Sequence, residues 1–221
     1  MNICILIPAH NEAKNVGRLV GELRCRGLDV IVVDDGSMDS TGPIAKETGA
    51  IVLTNTKNQG KGFSLQRGFD YIISRDYDAL ITMDGDGQHA LEDVDKFTAL
   101  FREKGPDIIC GNRLIDPQGM PFIRLATNKI MSGLISLVCR QKICDSQCGY
   151  RLIRTDVLRN VQLSSSAFEI ESEVLIKAAK KGYRIASVPV RTIYAGEQSR
   201  INPFFDTVRF IVYIIRELFV R

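Results

Sequence analysis

Short apolar runs rich in β-branched residues recur through the first half of the chain, at Ile3 to Ile7, Val30 to Val33, Ala50 to Leu53, Ala79 to Met83 and Asp107 to Cys110. Each is brief and nearly continuous, the pattern of a strand buried on both faces of a sheet. Between them, apolar residues fall at helical spacing over 12 to 26, 39 to 48, 60 to 74 and 91 to 104. Strands alternating with amphipathic helices predict an α/β fold, a mostly parallel central sheet flanked by helices. The strand-to-helix loops of such a fold gather at the carboxyl edge of the sheet, where ligands bind.

After residue 111 the alternation loosens into a polar Gly/Pro loop over 111 to 121, a helix near 125 to 139 and a Cys/Gly-rich segment near 144 to 152. A helix over 168 to 181 and strands at Arg184 to Val188 and Val190 to Tyr194 follow. From Phe204 to Val220 an apolar stretch is broken by Arg209, Arg216 and Glu217, which predicts a C-terminal amphipathic helix over 203 to 221. The expected organisation is one domain over 1 to 202, with halves 1 to 111 and 112 to 202, followed by that helix.

Composition supports one globular domain: 221 residues, 45% apolar and 25% charged. The formal charge is +3 with no long basic block, which argues against nucleic acid as a partner. No stretch reaches the roughly 18 to 20 uninterrupted apolar residues that span a bilayer. The six cysteines, with no leader-like start, read as reduced thiols of a cytoplasmic protein. Cys144 and Cys148 lack further ligands at zinc spacing, and Cys148 reads as a packed thiol.

The candidate chemistry begins where the strand Leu80 to Met83 runs into Asp84, Gly85, Asp86, Gly87 and Gln88. In extended backbone, positions i and i+2 point the same way, so Asp84, Asp86 and Gln88 can converge on one cation. Hard oxygen ligands suit Mg²⁺ or Mn²⁺ bridging phosphate oxygens. The same residues are also common in surface turns. Two further loops share that edge. Pro8, His10 and Glu12 follow the first strand, and Asp34 and Asp35 close the second, placed to accept hydrogen bonds from a nucleotide. Ser37 and Asp39 read as caps of the next helix. Lys61, in Asn58 to Gly62, opens a helix and reads either as a phosphate or sugar contact or as a solvated lysine; the P-loop spacing is absent.

In order along the chain, P-A-H-N-E, V-D-D-G-S, N-x-G-K-G and D-G-D-G-Q-H resemble family 2 glycosyltransferases of the GT-A fold, a Rossmann-like architecture. The likeness is strongest to the dolichyl- or polyprenyl-phosphate mannosyl- and glucosyltransferase branch. It continues through Gly111 to Arg113, Asp145 to Arg151, Phe168 to Glu173, Pro189 to Thr192 and Ser199 to Pro203, and so covers nearly the whole chain. The chain departs from the family's usual pattern at His10, commonly Tyr, and at Gly85, commonly Ala.

The resemblance implies an inverting transfer of a hexose from a GDP-mannose- or UDP-glucose-type donor to a polyprenyl or dolichyl phosphate. Residues 1 to 111 would be the donor half, with Pro8, His10, Glu12, Asp34, Asp35, Lys61 and Asp84 on the donor. Asp84, Asp86 and Gln88 would bind Mg²⁺ or Mn²⁺. Arg113, Arg124, Arg191 and Arg200 would neutralise the acceptor phosphate, and Asp84, Asp86 and Arg113 carry catalysis. Among Glu169, Glu171 and Glu173, one is expected to pair with an active-site arginine, the others to cap or solvate a helix. His89 would sit behind the ligands. The protein would work at the cytoplasmic face of a membrane, held by the tail helix, self-association or a membrane partner protein. The rivals are the same fold with a soluble or polysaccharide acceptor and a sugar-nucleotide pyrophosphorylase, whose G-G-x-G-T-R loop is missing.

Overall fold

The computed structural model describes residues 1–163 and 170–193. The strands are β1 (Ile3–Ala9), β2 (Asp29–Asp34), β3 (Ile51–Thr54), β4 (Ala79–Thr82), β5 (Ile108–Asn112), β6 (Arg151–Arg154) and β7 (Ile185–Pro189). They form one sheet in the order β3-β2-β1-β4-β6-β5-β7. The helices are α1 (Ala13–Cys25), α2 (Thr41–Glu47), α3 (Lys61–Ile73), α4 (Val94–Lys104), α5 (Phe122–Cys139), α6 (Thr155–Asn160) and α7 (Ile170–Lys180).

Burial on both faces explains the continuous apolar strands. Along β1, Ile3, Ile5 and Ile7 enter one core with Val16, Leu19 and Phe97, while Cys4 and Leu6 enter the other with Leu65, Phe69 and Ile135. Successive side chains of a strand point to opposite faces, so each run feeds both layers. β1 pairs in parallel with β2 on one side and β4 on the other. The chain therefore builds outward to β3 and then crosses back to β4, making a topological switch point between β1 and β4.

The second half departs from expectation in two places. The Cys/Gly-rich segment contains β6, which lies antiparallel between β4 and β5, with Thr82 opposite Arg151. Its four residues, Arg-Leu-Ile-Arg, are too few for periodicity to register. Val190 to Tyr194 is not a strand through Ile193; only an isolated bridge joins Thr192 to His89, and Tyr194 lies outside the described residues. Asp93 accepts the Arg191 backbone N–H at 2.7 Å, which draws that segment onto α4 instead of the sheet. The tail helix, Phe168, Glu169 and Arg200 also lie outside the described residues.

Candidate active site

The loops after β1, β2, β3 and β4 meet at the switch point. The β4 loop presses on β1: a Cβ at Gly85 would stand 3.2 Å from Ala9 Cβ and 3.3 Å from Pro8 O. At this position a side chain is accommodated only if one of the two loops shifts.

The acids that close β2 are tied into these loops. Asp35, buried, accepts from Asn55 Nδ2 at 2.7 Å and Gln59 N–H at 3.0 Å through Oδ1, and from Gly60 N–H at 2.7 Å through Oδ2. It thereby shapes the entry to α3. Asp34 Oδ1 accepts Ser37 N–H at 3.0 Å, a side-chain-closed turn. His10 Nδ1–H donates to Asp35 O at 2.8 Å and Nε2 accepts from Asn11 Nδ2 at 3.1 Å, which selects the tautomer. Glu12 precedes α1, and its backbone N–H donates to Thr41 Oγ1 at 2.8 Å. Asp39 accepts the Thr41 N–H at 3.0 Å and the Ala13 N–H at 3.2 Å, so it serves two helix starts.

Asp84 to Gln88 is a turn, not extended chain, because β4 ends at Thr82, Gly87 has φ 75 and Asp86 Oδ1 accepts Gln88 N–H at 2.9 Å. Side-chain alternation therefore does not decide where the two acids point; the turn does. Burial first, and then the charge of Asp84, push the Asp86 carboxyl upward. Each negative group raises the cost of the other, a strain that a cation relieves.

Lys61 is not a solvated lysine. Its Nζ lies 2.6 Å from Asp84 Oδ1 and 3.0 Å from Glu171 Oε1. Burial opposes its charge, but the two carboxylates outweigh that and hold the ammonium above its usual range. Burial likewise opposes the Asp84 charge, and Lys61 and then His89 hold its carboxyl below its usual range. Glu171 thus pairs with a lysine, and Glu173 is buried with Lys177 at 2.6 Å. Gly149 lies over the cluster: a Cβ there would meet Lys61 Nζ at 2.9 Å, Glu171 Oε1 at 3.0 Å and Asp84 Oδ2 at 3.2 Å.

Sequence reasoning missed the role of Arg151. Fully buried in β6, it donates Nε to Cys148 O at 2.8 Å, Nη2 to Ser146 O at 2.7 Å and Nη1 to Glu171 O. Its sequence signals were a charge in a short apolar run and its place at the end of the Asp145 to Arg151 motif. His89 packs on the Tyr150 ring, with centroids 4.7 Å apart. Its ring nitrogens are buried without a hydrogen bond among the described residues, and Nε2 stands 3.5 Å from Asp84 Oδ2.

The arginines separate. Arg113 is buried and forks onto Asp145, Nε to Oδ2 at 2.8 Å and Nη2 to Oδ1 at 3.0 Å. Arg124, half-buried in the first turn of α5, makes no hydrogen bond or ion pair among the described residues. The Arg191 side chain is 67% exposed, 3.7 Å from Glu92.

A divalent cation fits this loop. Two carboxylates and the half-buried amide of Gln88 are hard oxygen donors. Among the described residues no three His, Cys, Asp or Glu side chains form a closed cage. An open acid pair of this kind leaves coordination positions for phosphate oxygens.

A Rossmann-like sheet of this strand order, with acids in the loop at its switch point, has the layout of the GT-A fold. Solved structures agree on the fold. Mannosyl-3-phosphoglycerate synthase from Rubrobacter xylanophilus superposes with a TM-score of 0.77 at 16% identity, over 98% of this chain and 73% of that one. Glucosyl-3-phosphoglycerate synthase from Mycobacterium tuberculosis, in complex with Mn²⁺, uridine diphosphate and glucosyl-3-phosphoglycerate, gives 0.68 at 19% identity, over 98% and 78%. The chain belongs to glycosyl transferase family 2, whose sequence model matches residues 4–162. It is 30% identical over 201 residues to the polyprenol monophosphomannose synthase of Mycolicibacterium smegmatis, covering 84% of this chain and 75% of that protein. It is also 30% identical over 215 residues to the UDP-N-acetylglucosamine--dolichyl-phosphate N-acetylglucosaminyltransferase of Methanococcus voltae, covering 87% and 86%.

Proposed function

We propose that this family 2 enzyme transfers a hexose, with inversion, from a nucleotide sugar to a polyprenyl or dolichyl phosphate at the cytoplasmic face of a membrane. The carrying observation is the Asp84–Lys61–Glu171 cluster beside Asp86 at the switch point, a concentration of charge suited to a diphosphate and its counter-ion. The acceptor class is supported by the relatives, two of which are named for a polyprenol monophosphomannose product and a dolichyl-phosphate acceptor.

Asp84, Asp86 and Gln88 would hold Mg²⁺ or Mn²⁺. That ion, when bound, offsets the charge developing on the departing diphosphate. Pro8, His10, Glu12, Asp34 and Asp35 would shape the nucleotide pocket, Asp35 by fixing the backbone through which α3 begins. Lys61, first residue of α3, adds a positive charge where the diphosphate leaves. An acceptor phosphate is already ionised at neutral pH and needs no strong base. Its oxygen attacks the anomeric carbon, the bond to the diphosphate breaks, and the nucleoside diphosphate departs with that electron pair. One displacement inverts the centre.

Neutralising two approaching anions falls to the arginines. Arg124, uncommitted among the described residues, is the first choice, with Arg191 and Arg200 in support. Arg113 acts from its fork on Asp145. The test is nucleoside diphosphate release from a panel of GDP- and UDP-sugars with Mg²⁺ or Mn²⁺, with and without a short polyprenyl phosphate. Release that needs the lipid and vanishes in Asp86→Ala is expected. Release from some donor with no response to the lipid would overturn the acceptor assignment.

A further inference from the structure

The loop from Asp145 to Gly149 has a different task at each end. At its start the buried Asp145 carboxylate holds Arg113, Oδ2 accepting both the Nε–H and the backbone N–H while Oδ1 accepts the Nη2–H. At its end Gly149 closes over the Lys61–Asp84–Glu171 cluster, and its carbonyl accepts Thr82 Oγ1–H at 2.7 Å from the last residue of β4. One short segment is therefore fastened to the arginine proposed for the acceptor and to the charges proposed for the donor.

Arg151 fixes the middle of that segment. Among the described residues the hydrogen bonds of its guanidinium all run to backbone carbonyls: Ser146 O at 2.7 Å, Cys148 O at 2.8 Å and Glu171 O in the first turn of α7. A buried cation costs stability unless its donors are used, and a guanidinium uses them in a rigid planar fork. Here the fork ties the loop to the helix that supplies Glu171. The loop is gripped from α5 as well, where Ser132 Oγ accepts Ser146 N–H at 2.9 Å. Close-packed interiors transmit a displacement instead of absorbing it. At the far end there is no slack either, since a Cβ on Gly149 would stand within 3.2 Å of atoms of Lys61, Glu171 and Asp84.

We propose that Arg151 is a positioning residue that couples the Lys61–Asp84–Glu171 cluster to the Arg113–Asp145 fork, so that a change at either substrate's site is felt at the other. The inference rests on the donor and acceptor roles proposed above for these groups. A transfer between two bound substrates needs both held in one geometry, and a shared rigid loop supplies a common reference for the two. Arg151 acts through backbone carbonyls and touches neither substrate.

The test is a double-mutant cycle on Asp145 and Arg151, read as the affinity of the full chain for GDP and UDP with Mn²⁺ by calorimetry. Asp145 belongs to the Arg113 side, so a slack loop predicts no effect of Asp145→Asn on that affinity. The expected result is a loss of roughly fivefold or more. Arg151→Lys keeps the charge but reaches the carbonyls one at a time. It should lower the same affinity roughly tenfold, and Asp145→Asn added to it should cost less than about twofold more. Thermal melting separates a structural role, which lowers the melting temperature and leaves the affinity of the folded protein unmoved. Gly149→Ala gives the reverse reading without disturbing a buried charge: it should raise KM for a short polyprenyl phosphate roughly threefold. Wild-type affinity in Asp145→Asn, an equal loss in both backgrounds, or an unchanged KM in Gly149→Ala would overturn the coupling and leave the donor site as assigned. A wild type that binds neither nucleotide would remove the donor reading, and the inference with it.

Discussion

The Lys61 ammonium lies 2.6 Å from Asp84 Oδ1 and leans on Glu171 Oε1 at 3.0 Å, so the first residue of α3 is clasped by the β4 loop and by α7. Three elements distant in sequence converge on one charge. Lys61→Met is expected to lower kcat/KM by about 10- to 100-fold, the scale of a charge-assisted hydrogen bond. Glu171→Gln keeps the shape and should fall less, roughly three- to tenfold. Steady-state nucleoside diphosphate release measures both; equal, negligible effects would remove Lys61 from the machinery.

Gly149 is a glycine for want of room, since a Cβ would stand 2.9 Å from Lys61 Nζ. Gly149→Ala should shift that cluster while keeping stability within about 1 kcal/mol of wild type. Activity should drop about tenfold, as misplaced charge costs rate more than fold. Urea unfolding and kcat, measured side by side, separate the two.

Asp86 carries its raised proton affinity because it is buried near Asp84. Asp86→Asn removes that charge at almost constant shape. Mn²⁺ affinity, read by calorimetry with nucleoside diphosphate present, should fall about 10- to 100-fold. Unchanged affinity would move the metal site elsewhere.

Arg113 and Asp145 form a buried fork. Removing one partner of such a pair is expensive: Asp145→Ala should destabilise by on the order of 3 kcal/mol. Replacing both by Met should recover much of that loss. Urea midpoints of the two singles and the double form the cycle.

Burial pushes the thiols of Cys4, Cys139 and Cys148 up to about 12 and that of Cys110 to about 11, from an ordinary 9.0. The folded chain therefore keeps these protons after the unfolded chain has lost them. Stability should be flat in this respect below pH 9.0 and fall as pH rises through 9.0 toward 11. Urea titrations at intervals over that range check the slope, and Cys139→Ala should make it shallower. Exposed Cys25 should be the thiol that labels fastest in the native protein.

The order of apolar runs was enough to read out six of the seven strands, the helix-covered sheet and the edge on which the candidate site lies, because the central runs had to bury both faces. The motif order was enough for the family. Residue types alone did not reveal that Lys61 and Glu171 share Asp84, that Arg151 braces the loop above them, or that β6 inserts antiparallel between β4 and β5. Periodicity reports the face a residue turns to its own element's neighbours. A charge cluster assembled from the loop after β4, α3 and α7 depends on loop closure across the sheet, and only the folded chain sets those distances.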